Sequence, residues 1–299
     1  MLDALTRSAA IGADHAPASA TSERVVLVHC SAGSPRQWQA LTDQLTGFRA
    51  EPIELYGHGA ATCWNGAGPL SLSEEAAAIE DACHAGPIHL VGHSYGGGVA
   101  LRFALSFPER LRSLTLIEPS CFHLLKTATV DAHLLDEIRA VADAVARGVI
   151  SGDYRGGMRP FIDYWSGNGS WDKMPEARKA QFAELAVYVA HHFYSLIEEP
   201  TPLQAYRRIS VPTLILCGNR SPRPSRAITR LLTDTLPRAR HRTLRGAGHM
   251  SPLTHPGDVN PLILEHLQSN SKADLPFATA APCSQRKWTP SDRFGKQRR

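Results

Sequence analysis

Ser94 is the residue of this chain whose surroundings most clearly suggest chemistry. It lies between Gly92 and Gly96, after the apolar run Ile88–Val91 and before the apolar-periodic stretch Gly97–Phe107. A serine at a strand-to-helix turn needs small neighbours, because the turn is tight and its backbone strained. Such a turn holds the hydroxyl at a helix N-terminus, where partial positive charge favours developing negative charge. The pattern predicts a nucleophile; the alternative is a glycine-rich turn that only opens a packed helix.

A serine hydroxyl is a weak nucleophile until a base takes its proton. His249 is the predicted base, because it follows the strand-like run His241–Leu244 and two preceding glycines allow its loop to bend. His255 is a competitor for this role. It directly precedes Pro256, which is typical of a residue at the start of the last helix.

These segments, together with His29-Cys30-Ser31 after the first strand-like run, resemble the α/β-hydrolase family. The resemblance extends over roughly Arg24 to Gln268. It implies an α/β fold with a doubly wound, mostly parallel sheet and an inserted helical cap. It also implies that an acid lies between the serine and the histidine in the sequence.

The position of the acid in this sequence differs from the commonest family pattern. The usual place is the loop after the run Thr213–Cys217, where Gly218–Ser221 offers no carboxylate and the next one is Asp234. Some relatives place the acid one strand earlier, and here the run Leu111–Ile117 ends in Glu118. We therefore expect Glu118 to accept the Nδ1–H of the base, stabilising the imidazolium. The alternative for Glu118 is a strand-end residue that bonds backbone of the cap.

By the same resemblance, the backbone N–H groups of Ser31 and Tyr95 are the expected oxyanion donors. Cys30 stands where the family usually has glycine, so a Cβ occupies a site that is normally bare. Cys30 is disfavoured as an alternative nucleophile, because nothing nearby in sequence would activate a thiolate. Three side chains are expected to contact substrate: His29, Trp165 and Tyr188.

Strand-length apolar runs alternate with helical patterns through most of the chain, which also predicts a doubly wound parallel sheet. The alternation stops between 121 and 208, where we expect a helical cap. There the pattern predicts one helix over Asp131–Arg147, stopping before Gly148, and another from Pro175 to about Glu199. The predicted domains are a disordered leader (1–23), a core (24–120 and 209–268), the cap (121–208) and a basic disordered tail (269–299).

Composition narrows the class of protein further. The 299 residues include no apolar run near 18, so no membrane span is expected. The six cysteines form no C-x-x-C pair or metal-ligand spacing, which favours a reducing, cytoplasmic setting without a metal. The net charge of +4 arises in the tail after residue 270, whose seven basic residues face two acidic ones. A solvated extension is the simpler interpretation of that tail, although it could touch nucleic acid or anionic lipid.

The sequence thus predicts a serine hydrolase that cleaves an ester or related acyl bond of a small apolar substrate, without a cofactor. No nucleic-acid or membrane partner is expected. Cofactor-free perhydrolysis, C–C bond hydrolysis or a lyase reaction on the same core are open alternatives, as is a non-enzymatic ligand-binding relative.

Overall fold

A single six-stranded sheet organises the molecule. The computed structural model describes residues 22–59, 63–64, 68–83, 86–127 and 131–271. Every neighbouring pair of strands is parallel, in the order β2-β1-β3-β4-β5-β6. The strands are β1 (Glu23–Val28), β2 (Phe48–Ile53), β3 (Ile88–His93), β4 (Leu111–Ile117), β5 (Thr213–Gly218) and β6 (Ala239–Leu244).

Ten helices accompany the strands within the described ranges. They are α1 (Gln39–Thr42), α2 (Leu72–Ala82), α3 (Tyr95–Ser106), α4 (His133–Ser151), α5 (Tyr154–Ser166), α6 (Glu176–Glu184), α7 (Ala186–Glu198), α8 (Arg223–Thr235), α9 (Ser251–Thr254) and α10 (Pro256–Ser269). Short 3-10 segments lie at Pro35–Trp38, Pro108–Arg110, Phe122–Lys126 and Leu203–Arg208.

Successive side chains of a strand point to opposite faces of the sheet, and both faces are covered here. In β1, Val26 and Val28 pack into a core with α2, α3 and α8. Val25 and Leu27 pack into a second core with α1 and α10. This arrangement confirms the predicted doubly wound α/β fold, and it directs the carboxyl ends of all six strands to one edge.

Among the described residues, the segment between β4 and β5 contains helices and no strand, in the range where we predicted a cap. Its first helix is longer than predicted: α4 continues through Gly148 to Ser151 and ends at Gly152, whose φ is 76°. Gly148 is the point where α4 and α5 touch, since a Cβ there would lie 2.6 Å from the Cα of Gly157. Gly148 therefore serves close helix packing and is not a stop signal.

The second predicted cap helix is divided in two. The break falls at Leu185, which separates α6 from α7. A further helix, α5, occupies a stretch to which the sequence pattern assigned none, because Gly156, Gly157 and Pro160 are poor helix formers.

The ends of the chain lie largely outside this description. Residues 1–21 of the predicted leader and 272–299 of the predicted tail are not among the described residues, and Glu23 already belongs to β1. In the described part, no helix combines the length and the apolar character needed to cross a bilayer.

Candidate active site

Ser94 lies at the sharp turn between β3 and α3. Its φ of 55° is in the left-handed region, which non-glycine residues adopt only at a cost of roughly 1–3 kcal/mol. The glycines on either side have no room for a side chain. A Cβ on Gly92 would lie 2.3 Å from the Gly96 carbonyl oxygen, and one on Gly96 would lie 2.4 Å from that of Val28. The turn is therefore packed so tightly that it holds the Ser94 hydroxyl in one place.

The three predicted catalytic residues lie in one hydrogen-bonded chain. The Ser94 Oγ is 2.9 Å from Nε2 of His249, and Nδ1 of the same ring is 2.8 Å from Oε2 of Glu118. All three side chains are buried. His255, the competing base, instead contacts Thr254 at the start of α10. The geometry thus permits proton transfer from Ser94 to His249, with Glu118 orienting the ring.

Glu118 leaves the end of β4 with a φ of 46°, so its backbone is also strained. Its second oxygen, Oε1, accepts the Gly218 N–H at 2.9 Å and the Ser221 hydroxyl. Burial opposes ionisation of this carboxyl, but the hydrogen bonds from His249, Ser221 and Gly218 outweigh it and lower the pKa of Glu118. The carboxylate form is therefore stable in a buried site.

The loop that carries His249 is held from two sides. His93 lies beside the nucleophile, and its Nε2–H donates to the backbone carbonyl of His249 at 2.9 Å. Burial lowers the pKa of His93 to about 3, so this ring is a neutral donor. The indole of Trp165 packs on the imidazole of His249, with centroids 4.1 Å apart.

Ser120 is a neighbour of the nucleophile that the sequence reasoning missed. Its Oγ lies 3.1 Å from the Ser94 Oγ, and its N–H donates to the Ser94 carbonyl at 3.0 Å. Its position in the sequence could have indicated this contact. Ser120 follows the end of β4, Ser94 follows the end of β3, and the two strands are neighbours in the sheet.

The loop after β1 lies next to Ser94. Ser31 and Tyr95 both line a small cavity beside Ser94. The Cys30 N–H donates to the Gln37 side chain at 3.2 Å, which fixes this loop. Burial raises the pKa of the Cys30 thiol to about 12, so it is protonated and unsuited to nucleophilic attack.

A larger cavity of about 350 Å³ opens over Ser94 and His249. Its apolar lining comes largely from helices of the 121–208 segment: Phe161, Ile162, Trp165, Met174 and Phe182, with Met250 and Leu253 from beyond β6. Arg36 and Arg178 also line it, and no Asp or Glu does among the described residues.

Trp165 lines this cavity, but the other two predicted substrate contacts do not. His29 points away and donates from Nδ1 to the Cys30 carbonyl at 2.8 Å. The Tyr188 ring covers Gly57, where a Cβ would lie 2.0 Å from the ring. The expectations for His29 and Tyr188 are corrected accordingly, because the first supports a loop and the second packs on another.

His192, on α7, is a second residue that the sequence reasoning missed. It is buried, its Nδ1 lies 2.8 Å from the Ser31 Oγ, and its ring stacks on Tyr95 with centroids 3.7 Å apart. The His191-His192 pair in an otherwise apolar helix belongs to no motif and gave no signal of this position. Within the described ranges, no group of three or more His, Cys, Asp or Glu side chains is arranged to hold a metal ion.

Comparisons with known proteins agree with this architecture. A Bacillus subtilis protein provisionally named 2-succinyl-6-hydroxy-2,4-cyclohexadiene-1-carboxylate synthase is 26% identical over 83% of this chain and 91% of its own length. A Yersinia enterocolitica pimeloyl-[acyl-carrier protein] methyl ester esterase is 27% identical over 83% of this chain and 94% of its own.

Among solved structures, an α/β hydrolase from a deep-sea metagenome library, MGS-M2, superposes with a TM-score of 0.71 at 16% identity. It covers 83% of this chain and 90% of its own. The sequence profile of the alpha/beta hydrolase family matches residues 25–262. This chain therefore belongs to the α/β-hydrolase family and is an enzyme.

Proposed function

We propose that this enzyme hydrolyses carboxylic esters through a covalent acyl-serine at Ser94. The observation that carries the proposal is the unbroken hydrogen-bonded chain from Ser94 through His249 to Glu118. The name of the Yersinia enterocolitica relative, a methyl ester esterase, supports the same reaction class.

The reaction begins when the Ser94 Oγ forms a bond to the ester carbonyl carbon and its proton passes to His249 Nε2. The carbonyl oxygen becomes an oxyanion that the N–H groups of Ser31 and Tyr95 stabilise. Collapse of this intermediate breaks the bond to the alkoxy group, which leaves as the alcohol with the proton from His249. Water then attacks the acyl-serine in the same way, releasing the acid and restoring Ser94.

Glu118 acts on this reaction through His249. Its ionised carboxylate fixes the Nδ1–H tautomer of the ring, so that Nε2 faces Ser94 as a base. The carboxylate also stabilises the imidazolium that forms when the serine proton arrives.

The cavity lining supports an ester whose longer arm is apolar and ends in an anionic group. Most of the lining is apolar, yet it includes two arginines and no described acidic residue. The Arg178 guanidinium lies 4.6 Å from the centre of the Phe182 ring, which holds its charge beside an apolar surface. A carboxylate on the far end of a short alkyl chain would meet these cations while the ester lies at Ser94.

Labelling with a fluorophosphonate, followed by mass spectrometry, tests the nucleophile. We expect one adduct, on the peptide containing Ser94, and none in Ser94→Ala. That variant should lose ester turnover by at least about 10⁴-fold while it stays folded. His255→Ala is the matched control for the base and should label normally, whereas His249→Ala should not. Labelling at another serine would refute the assignment.

A matched ester panel tests the substrate class. Monomethyl esters of dicarboxylic acids should be hydrolysed with lower KM than methyl esters of monocarboxylic acids of equal chain length. Replacing both Arg36 and Arg178 by Gln should raise KM for the anionic esters by about tenfold, since each exposed ion pair contributes up to about 1 kcal/mol. Arg139→Gln, on α4 and outside the cavity lining, is the control. A preference for the neutral esters in the wild type would contradict this substrate class.

A further inference from the structure

The Ser31 side chain has one hydrogen-bond partner among the described residues, and that partner comes from the 121–208 segment. The Ser31 Oγ lies 2.8 Å from Nδ1 of His192 on α7. The two residues are 161 positions apart in the sequence. His192 is 1% exposed, whereas Ser31 is half-buried, so the contact is buried on the side of α7.

The hydrogen on the His192 ring can be assigned from its surroundings. Burial, then the neighbouring His58 and His29, lower the pKa of His192 well below its ordinary value, so the ring is neutral and carries one N–H. Its Nε2 is buried without a partner in the described part of the chain. A buried N–H without an acceptor is rarer and costlier than a bare acceptor nitrogen. The hydrogen therefore belongs on Nδ1, and the Ser31 Oγ accepts it.

This tautomer leaves the Ser31 hydroxyl hydrogen free to donate elsewhere. Ser31 and His192 line a cavity of about 10 Å³ together with Ser94, Tyr95 and Ser120. That volume is close to the space that one water molecule requires, which is also about the size of a single oxygen atom with its contacts. Both residues expected to supply backbone oxyanion donors, Ser31 and Tyr95, line this same space. It is therefore the place where a carbonyl oxygen would sit during attack by Ser94.

We propose that the Ser31 hydroxyl is a third donor to the oxyanion, and that His192 is the positioning residue that aims it. This inference rests on the proposed acyl-serine mechanism. It assigns α7 a part in catalysis, because this helix holds the Ser31 hydroxyl and stacks on Tyr95, the other oxyanion residue. Substrate binding alone would not need this arrangement, since the ground-state carbonyl carries little negative charge.

The test compares Ser31→Ala, His192→Phe and the double variant in kcat and KM for a p-nitrophenyl ester. Ser31→Ala should lower kcat by about 100- to 1,000-fold with KM nearly unchanged, as expected for a lost oxyanion donor. His192→Phe keeps an aromatic ring for Tyr95 but loses Nδ1, and should lower kcat by a smaller factor. The double variant should be no slower than Ser31→Ala alone, because His192 acts through the Ser31 hydroxyl. Ser31→Thr, which keeps a hydroxyl, should recover part of the loss.

A second measurement separates this inference from the proposed function. A trifluoromethyl ketone forms a tetrahedral oxyanion adduct with an active serine, so its inhibition constant should rise in Ser31→Ala in step with the loss of kcat. His191→Phe, the preceding residue on α7, controls for the substitution, and melting temperatures control for folding. If the wild type neither turns over esters nor binds the ketone, the proposed function fails. Suppose instead that the wild type turns over esters and binds the ketone. The Ser31–His192 inference is then overturned if Ser31→Ala has the kcat and inhibition constant of the wild type. It is also overturned if the loss of kcat in the double variant is the product of the losses in the two single variants.

Discussion

Glu118 and Glu75 are both buried, Glu118 beside His249 and Glu75 beside the Tyr95 hydroxyl, yet their surroundings shift their pKa values in opposite directions. On one side of Ser94, which holds His249 and Glu118 and is called here the acid–base side, Glu118 receives hydrogen bonds from His249, Ser221 and the Gly218 N–H. These bonds lower the pKa of Glu118 despite its burial. On the other side, which holds Tyr95 and is called here the oxyanion side, Glu75 lies 3.5 Å from both the Tyr56 N–H and the Tyr95 hydroxyl. Burial dominates there and raises the pKa of Glu75 to about 7.

The difference lies in the number and quality of the donors. A buried carboxylate is stable where several short hydrogen bonds replace its water, and otherwise the neutral acid is favoured. The acid–base side is therefore built around a fixed charge. Beside Tyr95, the contacts to Glu75 are long and burial dominates, so this carboxyl is not held as a fixed charge.

The largest expected effect comes from removing the fixed charge. Glu118→Gln keeps the shape of the side chain but cannot stabilise the His249 imidazolium, so kcat should fall by about 10⁴-fold with KM little changed. Glu75→Gln in the same assay should stay within a few-fold of the wild type. Steady-state kinetics on a chromogenic ester measure both. Near-normal turnover in Glu118→Gln would place the acid elsewhere or indicate a serine–histidine dyad.

The next effect concerns stability on the oxyanion side. The pKa of Glu75 is raised on folding, from an ordinary 4.5 to about 7, so its contribution to stability is complete below pH 4.5 and is lost as the pH rises through 7. A shift of this size corresponds to about 3 kcal/mol. Glu75→Gln should therefore remove the part of the pH dependence that falls between pH 5 and 8.

Urea unfolding at pH 5 and pH 8 measures that stability change. We expect the free-energy difference between the two pH values to be smaller in Glu75→Gln than in the wild type. Asp81→Asn, an exposed carboxylate near the other end of α2, is the control. Equal pH dependence in the wild type and Glu75→Gln would show that Glu75 is not the titrating group.

A third effect separates two aromatic residues of the 121–208 segment. Trp165 lines the cavity and packs on His249, whereas the Tyr188 ring covers Gly57. Trp165→Leu should change the ratio of kcat/KM between long and short esters by about 30-fold, since a pocket contact is worth about 2 kcal/mol. Tyr188→Leu should lower the melting temperature and leave that ratio unchanged. A changed ratio in Tyr188→Leu would return Tyr188 to the substrate site.

The smallest effect tests the support of Glu118. Ser221→Ala removes one of three donors to that carboxylate, leaving His249 and the Gly218 N–H in place. A hydrogen bond to a charged group contributes about 1.5 kcal/mol or more, so kcat should fall by about tenfold. The acidic limb of the pH–rate profile shows whether the loss of the Ser221 hydroxyl has changed the ionisation of Glu118. Ser221→Thr, which keeps the hydroxyl, should stay closer to the wild type; a loss equal to that of Glu118→Gln would contradict the idea of shared support.

The sheet and its order of elements were accessible from the sequence, because strands buried on both faces leave continuous apolar runs. The run Leu111–Ile117 coincides with β4 residue for residue, and this fixed Glu118 at the sheet edge. The direction of side chains in the 121–208 helices was not accessible. Trp165 and Tyr188 are both aromatic residues in helices, and only tertiary packing decides which one meets the cavity.

His192 and Ser120 show a second limit of sequence reasoning. Ser120 is close to Ser94 because β3 and β4 are neighbours, while His192 meets Ser31 only through the packing of α7 over the sheet edge. Neither residue belongs to a motif. The contact of His192 with Ser31, 161 positions away, depends on how the two segments dock, and periodicity carries no information about docking.

The hydrogen bond between Glu118 and the Gly218 N–H also constrains how the chain reaches activity during its synthesis. Ser94 and Glu118 emerge from the ribosome together, but the first donor to the Glu118 carboxylate follows 100 residues later and His249 follows 131 residues later. Until then the Glu118 carboxylate lacks the donors Gly218, Ser221 and His249, and Ser94 lacks the histidine that would act as its base. Under the proposed mechanism, a nascent chain that stops before β5 would thus carry Ser94 without its base, and acyl transfer would begin only after the last two strands have joined the sheet.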